Sequence, residues 1–84
     1  MKKRITWTDE AKADIRGIGK EHALVILKAL ARFAREGTGD VRKLTDDAQD
    51  RYRFRVGDYR VFFRFEKDDC IHVLSVENRR EAYR

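Results

Sequence analysis

The 84-residue chain predicts an α+β fold: one small domain in the order β-α-α-β-β-β, its helical hairpin packed on one face of a mainly antiparallel sheet. Three observations carry this. Apolar residues recur every three or four positions in the first half, alternate from Tyr52 to Phe65, and run almost unbroken from Cys70 to Val76. Glycines stand where the period changes, and the chain has no proline. The length suits a single core over residues 1–84, because a chain this short buries only about 60 to 65% of its extended surface.

Residues 3 to 7, with Ile5 and Trp7, predict a short first strand. Thr8 then stands at an N-cap, with Asp9 and Glu10 in the first turn, where carboxylates favour the helix dipole. Ala11, Ile15 and Ile18 continue that helix, which weakens at Gly17 and Gly19. A second helix runs from Lys20 to about Arg35, its apolar face formed by Ala23, Ile26, Leu27, Leu30, Ala31 and Phe33, and Gly37 stops it. So short a connection predicts an antiparallel helical hairpin. Residues 37 to 50 are rich in Gly, Thr and Asp and read as a connecting loop, with or without an extended part, anchored by Val41 and Leu44.

From Tyr52 the period is two. Gly57 and Asp58 lie alone between two strands, and Gly at the first central position is what a type II′ hairpin turn requires. The register follows: Val56 faces Tyr59, Arg55 faces Arg60, Phe54 faces Val61, Arg53 faces Phe62 and Tyr52 faces Phe63. Tyr52, Phe54, Val56, Val61 and Phe63 then turn toward the helices, and Arg53, Arg55, Arg60, Phe62 and Arg64 turn away. The last strand, from about Cys70 to Val76, is apolar at nearly every position and is expected to be buried on both faces.

The 20 Lys and Arg against 15 Asp and Glu give a formal charge of +5, which favours polyanions. From residue 51 onward there are nine basic side chains: Arg51, Arg53, Arg55, Arg60, Arg64, Arg79, Arg80, Arg84 and Lys67. Arginine's planar fork donates paired hydrogen bonds to an oxyanion. Placing Arg55 opposite Arg60 costs some tenths to about 1 kcal/mol. An anion between them reverses the sign, and Phe62 on the same face offers a surface on which a base can stack. The plain alternative is a solvated face screened by Glu66, Asp68 and Asp69, with arginine stems covering the rings.

No apolar run is long enough to span a bilayer, so a cytoplasmic protein without membrane contact is expected. The single cysteine, Cys70, excludes an internal disulfide and is expected to be a small buried side chain. His22 is expected at the surface. His72 lies mid-strand; the turn at Lys67 to Asp69 has room for two or three residues and leaves its face open, and a packed structural role is expected.

Tyr52-Arg53-Phe54-Arg55-Val56-Gly57-Asp58-Tyr59-Arg60-Val61, followed by Asn78-Arg79-Arg80-Glu81-Ala82-Tyr83, resembles the RelE/ParE toxin superfamily, and within it RelE-type mRNA interferases. The resemblance covers nearly the whole chain. It implies the toxin of a type II toxin–antitoxin pair that cuts mRNA in the ribosomal A site with no metal or other cofactor. By position it assigns Arg53, Arg55, Arg60, Arg79 and Tyr83 to catalysis; Phe62, Arg64 and Arg80 are expected to bind the substrate. The implied partners are the ribosome, mRNA, and a cognate antitoxin that covers the cationic face in a hetero-oligomer. Many relatives carry Gly-His before the tail arginines, where this chain has Glu77 and Asn78, and an asparagine carries no proton in catalysis. The alternatives are a ParE-like DNA gyrase inhibitor, a non-catalytic RNA-binding relative, and a charged subunit that binds an acidic partner.

Overall fold

The computed structural model describes residues 3–78. Strand β1 (Arg4–Trp7) leads into α1 (Asp9–Gly17) and α2 (Lys20–Glu36), followed by β2 (Asp40–Lys43), β3 (Tyr52–Val56), β4 (Tyr59–Glu66) and β5 (Cys70–Asn78). Thr8 caps α1 as its position predicts: its backbone is extended, and its Oγ1 accepts a hydrogen bond from the Ala11 N–H at 3.0 Å. The same hydroxyl donates to the Leu74 carbonyl at 2.7 Å, which ties the start of α1 to β5. Gly37 adopts the left-handed conformation (φ 75°) and donates its N–H to the Phe33 carbonyl, which closes α2.

The five strands form one sheet in the order β1-β5-β4-β3-β2, with β1 parallel to β5 and all other pairs antiparallel. Both helices contribute to the core on one side of it. Ala11 of α1 and Ile26, Leu30, Phe33 and Ala34 of α2 meet Phe54, Val56, Val61, Phe63, Ile71, Val73 and Val76. Phe33 lies at the centre, its ring 5.4 Å from Phe54 and 5.6 Å from Phe63 between centroids. The β3–β4 register is the expected one at all five pairs. Gly57 has φ 58° and Asp58 lies outside the positive-φ region, the sign pattern of a type II′ turn.

Two elements differ in detail from expectation. The segment read as a loop contains β2, which pairs with β3 through Val41 opposite Phe54 and makes the sheet five-stranded. Val41 alone gives this short edge strand its apolar contact with the core, so its hydrophobic pattern is too sparse to recognise. The last strand is not buried on both faces. Ile71, Val73 and Val76 enter the core, whereas His72, Leu74 and Ser75 are half-buried. Its unbroken apolar run arises from a bulge: Phe62 pairs with Ser75 and Phe63 with Val73, leaving Leu74 as an extra residue that resets the alternation. The displaced Val76 N–H donates to Asp14 Oδ2 at 2.9 Å, so a side chain of α1 satisfies a backbone donor of the sheet.

Candidate nucleic-acid interface

The sheet face opposite the helices assembles side chains from every strand. The predicted residues Arg53, Arg55, Arg60, Phe62 and Arg64 share it, as their alternation requires. Arg79, Arg80 and Tyr83 lie outside the described residues. The chain leaves β5 with Glu77 opposite Arg60 and Asn78 opposite Tyr59, at the end of the face where the Arg55–Arg60 pair stands.

That pair is differently balanced from expectation. Arg55 and Arg60 do face each other, but the Glu77 carboxylate lies 3.7 Å from the Arg60 guanidinium, and Asp40 stands opposite Arg55 on the other side. The row across the sheet is acid, base, base, acid, so a carboxylate stands beside each arginine, and Arg60 is the one of the two that is ion-paired in the row. Arg60 is also largely covered, with 16% of its side chain exposed. Of the carboxylates expected to screen the face, Glu66 does so, 3.2 Å from Arg64, whereas Asp69 pairs with Lys3 at the edge.

The next row carries the uncompensated charge. Arg42 of β2 faces Arg53, and Phe62 and Ser75 complete the row. No carboxylate stands in it, and neither arginine makes an ion pair among the described residues. The argument that a like-charged cross-strand pair favours a bound anion therefore applies better to Arg42 and Arg53 than to Arg55 and Arg60. Arg42 was missed because β2 was missed; nothing in its local sequence links it to Arg53.

The stacking surface at Phe62 is shared with a cation. The Arg51 guanidinium sits 5.6 Å above the Phe62 ring, held by the Asp47 carboxylate through Nε and Nη2 at 3.0 to 3.2 Å. Asp47 also accepts the Arg51 backbone N–H at 3.0 Å. Hydrogen bonds from Arg51 hold the Asp47 carboxyl below its ordinary pKa, and the same side-chain bond raises that of Arg51.

His72 is not packed in the core. A three-residue turn, with Asp68 and Asp69 at φ 64° and 54°, puts it opposite Arg64 on the open face, where its Nδ1 lies 2.7 Å from Thr6 Oγ1. His22 is exposed as expected, with Nδ1 3.2 Å from the Tyr59 hydroxyl, and Cys70 is buried as expected. Among the described residues no three His, Cys, Asp or Glu side chains gather as metal ligands, and no helix is long and apolar enough to cross a membrane.

Two helices on one face of a small, mostly antiparallel sheet, with arginines lining the other, define a toxin domain of the RelE/ParE superfamily type. The chain belongs to the family of ParE toxins of type II toxin–antitoxin systems (parDE), whose model matches residues 5–83. The fold is similar to that in the archaeal RelE–RelB complex of Pyrococcus horikoshii OT3, at 28% identity and a TM-score of 0.76, covering 94% of this chain and 97% of that one. It is similar also to the RelBE2 toxin–antitoxin complex of Mycobacterium tuberculosis, at 18% identity and TM-score 0.80, covering 94% of this chain and 100% of that one. For the RelB–RelE complex of Methanococcus jannaschii the values are 18% and 0.74, covering 93% and 94%. No curated protein sequence gives a significant match.

Proposed function

We propose that this toxin is a ribosome-dependent mRNA endoribonuclease of the RelE type, acting in the cytoplasm and held inactive by a cognate antitoxin over its open face. The observation that carries the reading is the arginine cluster of that face: the uncompensated Arg42–Arg53 pair beside Phe62, next to Arg55 and Arg60. Structural similarity to RelE chains in complex with RelB supports the RelE reading and the antitoxin partner.

The reaction is attack of a ribose 2′-oxygen on its own 3′-phosphate, which expels the 5′-oxygen; that oxygen takes a proton from water, and the products are a cyclic phosphate and a free 5′-hydroxyl. Arg53, Arg55, Arg60 and Arg79 stabilise the additional negative charge of the phosphorane, a contribution of about 3 to 4 kcal/mol for a well-placed donor. Tyr83 takes the 2′-proton, a role open to a phenol, whose ordinary pKa is about 10, where cations favour its phenolate form. Phe62, Arg64 and Arg80 hold the neighbouring nucleotides. Because Glu77 already pairs with Arg60, the phosphate competes with that carboxylate for the guanidinium.

Primer extension on translated mRNA tests the reading. Wild-type protein is expected to produce cuts within codons, and Arg53→Ala or Arg60→Ala to slow them by about 10²-fold or more. Unchanged cutting in both variants, or intact mRNA with folded wild-type protein, overturns it. A second reading, inhibition of DNA gyrase, is favoured by the match to the ParE family model and by Asn78 in place of a proton-carrying histidine. Trapped gyrase cleavage complexes on supercoiled DNA with uncut mRNA would establish that reading instead.

A further inference from the structure

The far end of the open face carries a shallow depression. Arg64 lies four residues beyond Arg60 on β4, about 13 Å away at the rise of a strand. There a cleft of about 780 Å³ is lined by Arg4, Thr6, Arg64, Glu66, Cys70 and His72. These side chains are ordered relative to one another. Thr6 Oγ1 lies 2.7 Å from His72 Nδ1 and 3.3 Å from Cys70 Sγ. Glu66 reaches Arg64 at 3.2 Å with Oε2 and lies 3.7 Å from His72 Nδ1 with Oε1. The imidazole is thus held at Nδ1 from two sides, while its Nε2 makes no hydrogen bond among the described residues. Arg4 has no ion pair among the described residues, and with Arg64 it outweighs the single carboxylate of Glu66.

We propose that this cleft is a second nucleotide subsite, which binds a single-stranded RNA nucleotide flanking the one held at Arg53, Arg55 and Arg60. Its phosphate lies against Arg4 and Arg64, and its base or ribose edge meets His72 Nε2 and the Thr6 hydroxyl. RNA suits the surface better than an acidic protein because Arg64 and His72 of the cleft stand on the same sheet face as Phe62, Arg53 and Arg55. The uncompensated Arg42–Arg53 row and the Arg51–Phe62 stack separate the two ends, and together they form a basic track with an aromatic midway along it. The subsite rests on the RNA-binding part of the proposed function and not on cleavage.

The test is titration of the intact protein with a non-cleavable 2′-O-methyl RNA octanucleotide, followed by NMR and fluorescence anisotropy. RNA is expected to shift the Thr6 amide and His72 imidazole signals together with those of Arg53 and Arg55. Arg4→Ala, at an exposed position, is expected to weaken binding several-fold and to reduce the salt slope by about 0.7, the value for one phosphate of a single strand. His72→Ala is expected to weaken it about tenfold, as loss of a specific contact does. Thr6 and His72 signals that stay in place while Arg53 and Arg55 respond, or an Arg4→Ala variant with unchanged affinity and slope, would overturn the subsite alone. Shifts at Thr6 and His72 produced by polyglutamate and not by RNA would assign the cleft to an acidic protein and overturn it too. Wild-type protein that binds RNA in this way but leaves translated mRNA whole removes the nuclease reading and keeps the subsite. Absence of RNA binding removes both.

Discussion

Asp47 connects a loop carboxylate to the surface where RNA is expected to bind. Its charge holds Arg51 over Phe62, and hydrogen bonds from Arg51 keep its pKa below 3.8. A carboxylate with a depressed pKa stabilises the fold above its unfolded pKa and loses that contribution as the pH falls through the folded value. Asp47→Asn is therefore expected to lower the urea midpoint at neutral pH, with the gap to wild type closing as the pH drops below 3.8. A gap that is constant with pH would show that the pair contributes no linked stability. Asp14 makes a comparable single-residue connection on the other side of the sheet. Asp14→Ala leaves the Val76 N–H of the bulge without its acceptor, and a cost of about 1 to 3 kcal/mol is expected in chemical denaturation. Asp14→Asn keeps an acceptor oxygen and is expected to retain most of that stability.

At the scale of elements, the hairpin was legible because two constraints agreed. A two-residue turn with Gly57 first sets the register, and strict alternation on both strands sets the faces. Where only one constraint existed, reading failed. The β2 strand has a single apolar contact residue, Val41, and its place beside β3 depends on a close approach of backbone to ring that no local pattern reveals. At Gly39, with φ 149°, an added Cβ would lie 2.7 Å from Phe54 Cε1. Phe54 is buried, its ring 5.4 Å from that of Phe33 between centroids, so the ring must shift within the core to make space. Gly39→Ala is thus expected to cost about 1 to 3 kcal/mol through overpacking, and to increase amide exchange along β2 before the rest of the sheet. Stability equal to wild type would mean that β2 lifts away from Phe54 without penalty. The bulge at Leu74 hid the face of the last strand in a similar way. Its extra residue is what brings Glu77 opposite Arg60, so the carboxylate that balances the candidate site could not be assigned from spacing.

At the scale of the whole molecule, the formal charge of +5 is distributed unevenly over the open face. The Asp40–Arg55–Arg60–Glu77 row is balanced, whereas the Arg42–Arg53 row is cationic, so of the arginines assigned to catalysis by resemblance Arg55 and Arg60 stand in the balanced row and Arg53 in the cationic one. Glu77 decides how far the balanced row takes part in binding. Its carboxylate is 51% exposed and lies 3.7 Å from Arg60, so its removal changes the field at the proposed phosphate site without opening the core. Glu77→Gln is expected to tighten single-stranded RNA binding by up to about fivefold, the 1 kcal/mol scale of an exposed charge pair, and to steepen the salt dependence. Cleavage of translated mRNA separates two roles for the same side chain. If Glu77 only competes with the phosphate, the cutting rate is expected to rise with affinity. If it carries a proton in place of the histidine that Asn78 does not supply, tighter binding is expected with slower cutting and a flatter acid limb in the pH–rate profile. The first outcome is the one the ion pair favours, because the Glu77 carboxylate already occupies the side of the Arg60 guanidinium that a phosphate would have to take.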